Sequence, residues 1–140
     1  MTPSLPEILT GQAVALATPL PPEANGDYAV ARAGLLAMLA LFAAQEAERG
    51  VAARVWENAA LRSLFARAAA DYDALLDSHL STAAPGADGD LSWSGLDRAN
   101  GELRRLLIAL HEAAEDRRDT ALDREIRTLY QRMAHERRLE

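Results

Sequence analysis

The pattern of apolar and polar positions changes character along the chain. From Ala33 to Ala44 (AGLLAMLALFAA) no charged residue occurs. A helix that is apolar on most of its sides belongs at the centre of a bundle. The run is also far shorter than the roughly 20 residues that span a bilayer. The spacing predicts a helix over about Asp27 to Arg49, with Tyr28, Leu35, Leu39, Phe42 and Glu46 along one line. Arg49-Gly50 reads as a turn. A third helix then follows from about Val51 to Leu80, its stripe carried by Val51, Val55, Ala59, Leu64, Ala68, Tyr72, Leu75 and His79 and widened by Trp56, Phe65 and Leu76. These two segments predict an antiparallel hairpin. At 1.5 Å per residue the second arm is about 45 Å long and the first about 33 Å, so the excess must bend, break or project.

The flanks are read from caps and breakers. Ser4-Leu5-Pro6-Glu7 has the form of a capping box, which starts a short helix over about Leu5 to Ala17. Thr18-Pro19-Leu20-Pro21-Pro22 ends it, because proline supplies no N–H and disfavours helix in the residue before it. Ala83–Ser92, with its proline, glycines and aspartates, is a loop. Ser94-Gly95-Leu96-Asp97 reads as the start of a fourth helix, with Leu96, Leu103, Leu106, Leu107 and Leu110 inward and an end near Glu115–Arg118. Asp119 or Thr120 caps a fifth, whose line is Leu122, Ile126, Leu129, Tyr130 and Met133. Residues 135–140 are expected to fray. No stretch alternates with period two, so no sheet is expected. The fold class is all-α: a single domain over residues 1–140, an up-and-down helical bundle of four main helices plus a short N-terminal one.

Composition narrows the chemistry. With 140 residues and no cysteine, a core can form without staples, and disulfides, thiolate metal sites and cysteine nucleophiles are excluded. All 15 basic residues are arginine, which removes lysine Schiff-base chemistry and a phosphate-loop lysine. The net charge is −6. Residues 97–140 balance 10 acids against 10 arginines. Neither half is a basic patch, so nucleic acid and anionic membranes are not expected partners. The N-terminal stretch lacks the basic region of a signal peptide, and a cytoplasmic location is expected.

Few motifs carry chemistry. His79, His111 and His135 belong to no H-E-x-x-H or E-x-x-H spacing. His111, Glu112 and Glu115 read as a solvated face, and no metal site or cofactor is expected. There is no G-x-S-x-G. The glycine-containing run Pro85–Asp90 carries acids that would repel phosphate, and it lacks the spacing of a calcium loop. A regulator reading would need the arginines of the fifth helix, Arg124, Arg127 and Arg132, but acids interleave them.

Arg32 stands where its helix line asks for an apolar residue. In a hairpin turning at Gly50 it faces residues 68–72, so Arg32–Asp71 and Glu46–Arg54 are expected as interhelical ion pairs that set register. Tyr72 and His79 share a face near that pair. Arg32, Asp71, Tyr72 and His79 are therefore the candidate ligand-binding residues, lining a pocket for a small anion. No catalytic residue is assigned.

Asn25-Gly26-Asp27 leads into Tyr28-Ala29-Val30-Ala31-Arg32 and the alanine/leucine helix. Glu46-Ala47-Glu48 follows, then Glu57-x-x-x-Leu61 through Phe65, the Leu96 to Leu110 helix, and Asp119 through Leu129 with Arg127. In this order the chain resembles a family of short, all-helical bacterial proteins encoded beside acyl-CoA dehydrogenases and proteins like aminoglycoside phosphotransferases. The resemblance implies an accessory protein acting near such enzymes. The leading expectation is a non-catalytic helical interaction module, partnered by its own copy as a homodimer or by another protein. The overlong third helix, apolar as far as Leu80, motivates the homodimer. The alternative is a binder of an acyl-CoA or nucleotide-like anion, or a small enzyme, using the pocket at Arg32, Tyr72 and His79.

Overall fold

The computed structural model describes Pro3, Leu5–Ala17, Gly26–Ala68 and residues 72–138. Among the described residues there are five α-helices: α1 (Leu5–Ala17), α2 (Gly26–Ala68), α3 (Ala74–Ala83), α4 (Trp93–Asp116) and α5 (Thr120–Glu136). The fold is an all-α helical bundle, with no strand among the described residues. Its contacts separate into two compact units, one reaching Arg49 and one spanning Gly50–Arg138.

In the first unit α1 has the bounds that its cap and proline stop predict. The capping serine, Ser4, and the Thr18–Pro22 stop lie outside the described residues. Gln12 of α1 donates from Nε2 to the Leu36 carbonyl at 3.1 Å, tying the two helices. Ala43 is buried, and Leu36, Leu39 and Phe42 are partly so. Leu35, Met38 and Leu41 of the same helix stand in the open.

The predicted hairpin is corrected. Gly50 is no turn: α2 runs through it for 43 residues. A glycine inside a helix costs about 1 kcal/mol relative to alanine, and no proline follows to enforce a stop. The Gly50 carbonyl also accepts a 3.0 Å bond from Arg54 Nη1. Glu46 and Arg54 therefore belong to one helix rather than to two arms of a hairpin, and a pair between them would not be an interhelical one.

The real break lies further on, after Ala68, where an unbroken helix to Leu80 was expected. Asp73 is the N-cap of α3, its Oδ1 accepting from the Leu75 and Leu76 amides at 3.0 Å each. Asp77 reaches back to accept from the Tyr72 amide at 3.1 Å. The two carboxylates satisfy donors that a helix start leaves without partners.

The second unit is built on a stripe of α2 that keeps Leu64, Phe65 and Ala68 of the predicted one and departs from it before Leu61. Val51 and Val55 are 40% and 38% exposed. The buried line is Arg54, Glu57, Asn58, Leu61, Leu64, Phe65 and Ala68. Its apolar half meets Leu76 and Leu80 of α3, Leu103, Leu107 and Leu110 of α4, and Ile126 of α5 in one core. On α3, Leu75 and His79 are exposed while Leu76 and Leu80 are buried, so the expected Tyr72–Leu75–His79 face is not the inward one. The inward lines predicted for α4 and α5 are the ones observed.

Two local devices set the entries and exits of α4. Ser92, rather than Ser94, is its N-cap, its Oγ accepting from the Gly95 amide at 3.1 Å. A Cβ on Gly95 would come within 2.4 Å of the Asp90 carboxyl group, which itself accepts from the Ser92 amide. At the other end Arg118 takes a left-handed conformation, φ 56°. The Arg118 and Asp119 amides return to the Glu115 and Ala114 carbonyls, and Asp119 then caps α5 through the Leu122 amide. Leucines thus face inward on both arms of a tight α4–α5 corner.

Candidate functional site

The second unit buries polar groups at one end of its core. Glu57 is fully buried, and its carboxylate accepts from Arg137 Nε at 2.5 Å, Arg137 Nη2 at 2.7 Å and Asn100 Nδ2 at 2.9 Å. Asn100 donates also to Asn58 Oδ1 and accepts from Arg137 Nη2, both at 3.0 Å. Asn58 in turn donates to Asp88, which is paired with Arg62 at 2.7 Å. The loop over residues 84–92 is therefore held from beneath. Asp88 is tied down, because Asn58 and Arg62 both donate to its Oδ1. Arg137, in the tail expected to fray, closes the network on Glu57.

Arg54 is boxed in beside this network. It lies over the Trp93 ring at 4.3 Å and pairs with Asp97 at 3.0 Å. Buried charges are costly unless paired and hydrogen-bonded, and these are. Arg62 Nε is the exception among the described residues, a buried side-chain nitrogen with no acceptor.

The four residues singled out from sequence have different settings. Arg32 is half-buried on the first half of α2. Asp71, and with it the Arg32–Asp71 pair, lies outside the described residues. Tyr72 donates from its hydroxyl to Asp119 Oδ2 at 3.3 Å and lies beneath the Arg117 guanidinium, 4.7 Å from its ring centre. Those contacts tie the α2–α3 connection to the α4–α5 corner. His79 lines a groove of about 500 Å³ with Arg62 and Glu102, floored by Leu103 and Leu106; Tyr72 is not part of it.

Two further clusters bring together residues that the sequence reading left apart. At the α4–α5 corner His111 Nε2 meets Asp123 Oδ1 at 2.9 Å and Glu115 Oε1 at 3.7 Å. These ligand-type atoms lie within 4.8 Å of one another. Arg127 already supplies the cation: its Nε donates to both Asp123 oxygens at 2.9 Å, and its Nη2 lies 3.6 Å from Glu115. The hydrogen bonds from His111 and then Arg127 hold the Asp123 carboxyl below the ordinary carboxylate range. Glu112 and Glu115 are exposed, as a solvated face requires, and ion pairs join α4 to α5 across that surface. Burial against the same corner raises the Tyr130 hydroxyl above its ordinary value.

The second cluster is a groove between the second half of α2 and α5, where Arg132 lies over Trp56. Trp56 and Arg132 are 76 residues apart in sequence, and no local spacing rule relates them.

Comparison of this chain with protein families, with characterised proteins and with solved structures gives no match. No described helix is long and apolar enough to cross a membrane.

Proposed function

We propose that this protein is a non-catalytic helical interaction module that associates with a second copy of itself through the first half of α2. The overlong third helix that motivated a homodimer is not present, since α2 ends at Ala68 and α3 buries Leu76 and Leu80. A different observation supports the reading. Leu35, Met38 and Leu41 are 53%, 45% and 70% exposed, on a helix with no charged side chain between Arg32 and Glu46. Gly34, Met38 and Leu41 recur at steps of four and three, the repeat that packs one helix seam against another. Gly34 itself and Ala37 and Ala44 beside the seam are small, which lets a second helix approach closely. Burying such a stripe against its own copy gives a self-complementary, two-fold contact. In the accessory role that the family resemblance implies, an acyl-CoA dehydrogenase or a phosphotransferase-like enzyme is the second kind of partner for this face.

Light scattering coupled to size-exclusion chromatography tests the reading. A dimer mass is expected for the wild type and a monomer mass for Met38→Glu/Leu41→Glu, with unchanged helical circular dichroism. A monomeric wild type at tens of micromolar rejects self-association.

A further inference from the structure

The chain is acidic, yet one groove in its second unit is cationic. The groove between α2 and α5 has a volume of about 490 Å³, within the usual span for small-molecule sites, about 300–1,000 Å³. Its floor is apolar, formed by Ala60, Leu64, Ala121 and Leu129. Arg124 and Arg132 stand two turns apart on α5, about 12 Å along the helix. Arg67, also on the lining, is engaged by Glu125. Arg124 and Arg132 have no carboxylate partner among the described residues. Arg132 lies over the Trp56 indole, 4.6 Å from the ring centre. Stacking occupies the flat face of a guanidinium and leaves its N–H edge open to a bidentate acceptor.

An apolar floor between two unneutralised guanidiniums selects one ligand chemistry. We propose that this groove binds an elongated organic anion, a medium-length apolar chain lying on the Leu64–Leu129 floor with a carboxylate or phosphate monoester head held by the arginines. The site does not depend on self-association through the first half of α2. It also differs from the pocket expected at Arg32, Tyr72 and His79.

The chain has two tryptophans, so Trp93→Phe leaves Trp56 as the reporter. Decanoate, decyl phosphate and decanol are titrated below their aggregation concentrations. Trp56 emission is followed in that variant and heat in the wild type. Both anions, or one of them, should bind and perturb Trp56, with the tighter one identifying the head group. Decanol should bind about tenfold or more weakly, the value of charge-assisted hydrogen bonds. Arg124→Gln/Arg132→Gln should lose about as much affinity for the anions while keeping its circular dichroism. Decanol binding as tightly as the anions, full affinity in the double variant, or silence from all three ligands overturns the proposal. If the double variant does not fold, the anion-against-alcohol comparison on the wild type decides.

Discussion

The two halves of α2 invert the usual relation between residue type and burial. Before Gly50 the helix leaves Leu35, Met38 and Leu41 exposed. After it, the same helix buries Arg54, Glu57 and Asn58. The difference comes from what each half meets. The first half has Gln12 of α1 against its Leu36 carbonyl, and there Leu36, Leu39 and Phe42 are partly buried while Leu35, Met38 and Leu41 are exposed. The second half meets α3, α4 and α5, and its polar side chains meet partners: Asn100, Asp97, Asp88 and Arg137. Burial follows tertiary surroundings, and a polar residue can occupy an interior line when each of its hydrogen-bonding atoms is answered.

The comparison breaks most visibly at Glu57. Arg137→Ala leaves the fully buried Glu57 carboxylate without its charged partner. Urea denaturation should show a loss of roughly 3–5 kcal/mol, the usual cost of leaving one partner of a buried ion pair uncompensated. A loss below about 1 kcal/mol, the worth of an exposed pair, would mean that the network is a solvated rim rather than part of the core.

An intermediate effect belongs to the α4–α5 corner. The Asp123 carboxyl, held low by His111 and Arg127, stabilises the fold at any pH above its unfolded-state value. That contribution is lost as pH falls through the lower folded-state value. Acid titration of stability should therefore be less steep for Asp123→Asn than for the wild type below about pH 4, where carboxylates ordinarily titrate. Parallel acid limbs would dismiss the role of this carboxylate.

The smallest effect sharpens the contrast from the other side. Met38→Gln, measured at a concentration where the chain is monomeric, should change unfolding stability by no more than about 0.5 kcal/mol, as exposed substitutions do. A larger loss would place Met38 in a packed interior of its own molecule.

Much of the second unit was legible in sequence. Leu96, Leu103, Leu107 and Leu110, and then Leu122, Ile126 and Met133, follow the helical period, and their burial follows from it. Asp119 was readable as a cap because it precedes a periodic run. The long helix was misread for two reasons. Glycine is a weak breaker without a proline behind it, so Gly50 carries no turn. The true stop is written in Asp73 and Asp77, short acids that satisfy amides, inside a stretch whose apolar spacing suggested continuity. The polar interior was not legible, because Glu57 meets Asn100 and Arg137 at separations of 43 and 80 residues, beyond any local periodicity. The α2–α5 groove shares that property: Trp56 carries no sign of Arg132 until the fold juxtaposes them.

Arg137 reaches Glu57 from 80 residues downstream, and this separation governs how the protein can be made. During translation, the glutamate and both its asparagine neighbours emerge long before the arginine that neutralises them. The leucine-lined helices can collapse as they leave the ribosome, but the acid beside their core meets its guanidinium partner only once Arg137 has emerged. Closure of the buried polar network therefore waits for the residue that follows α5.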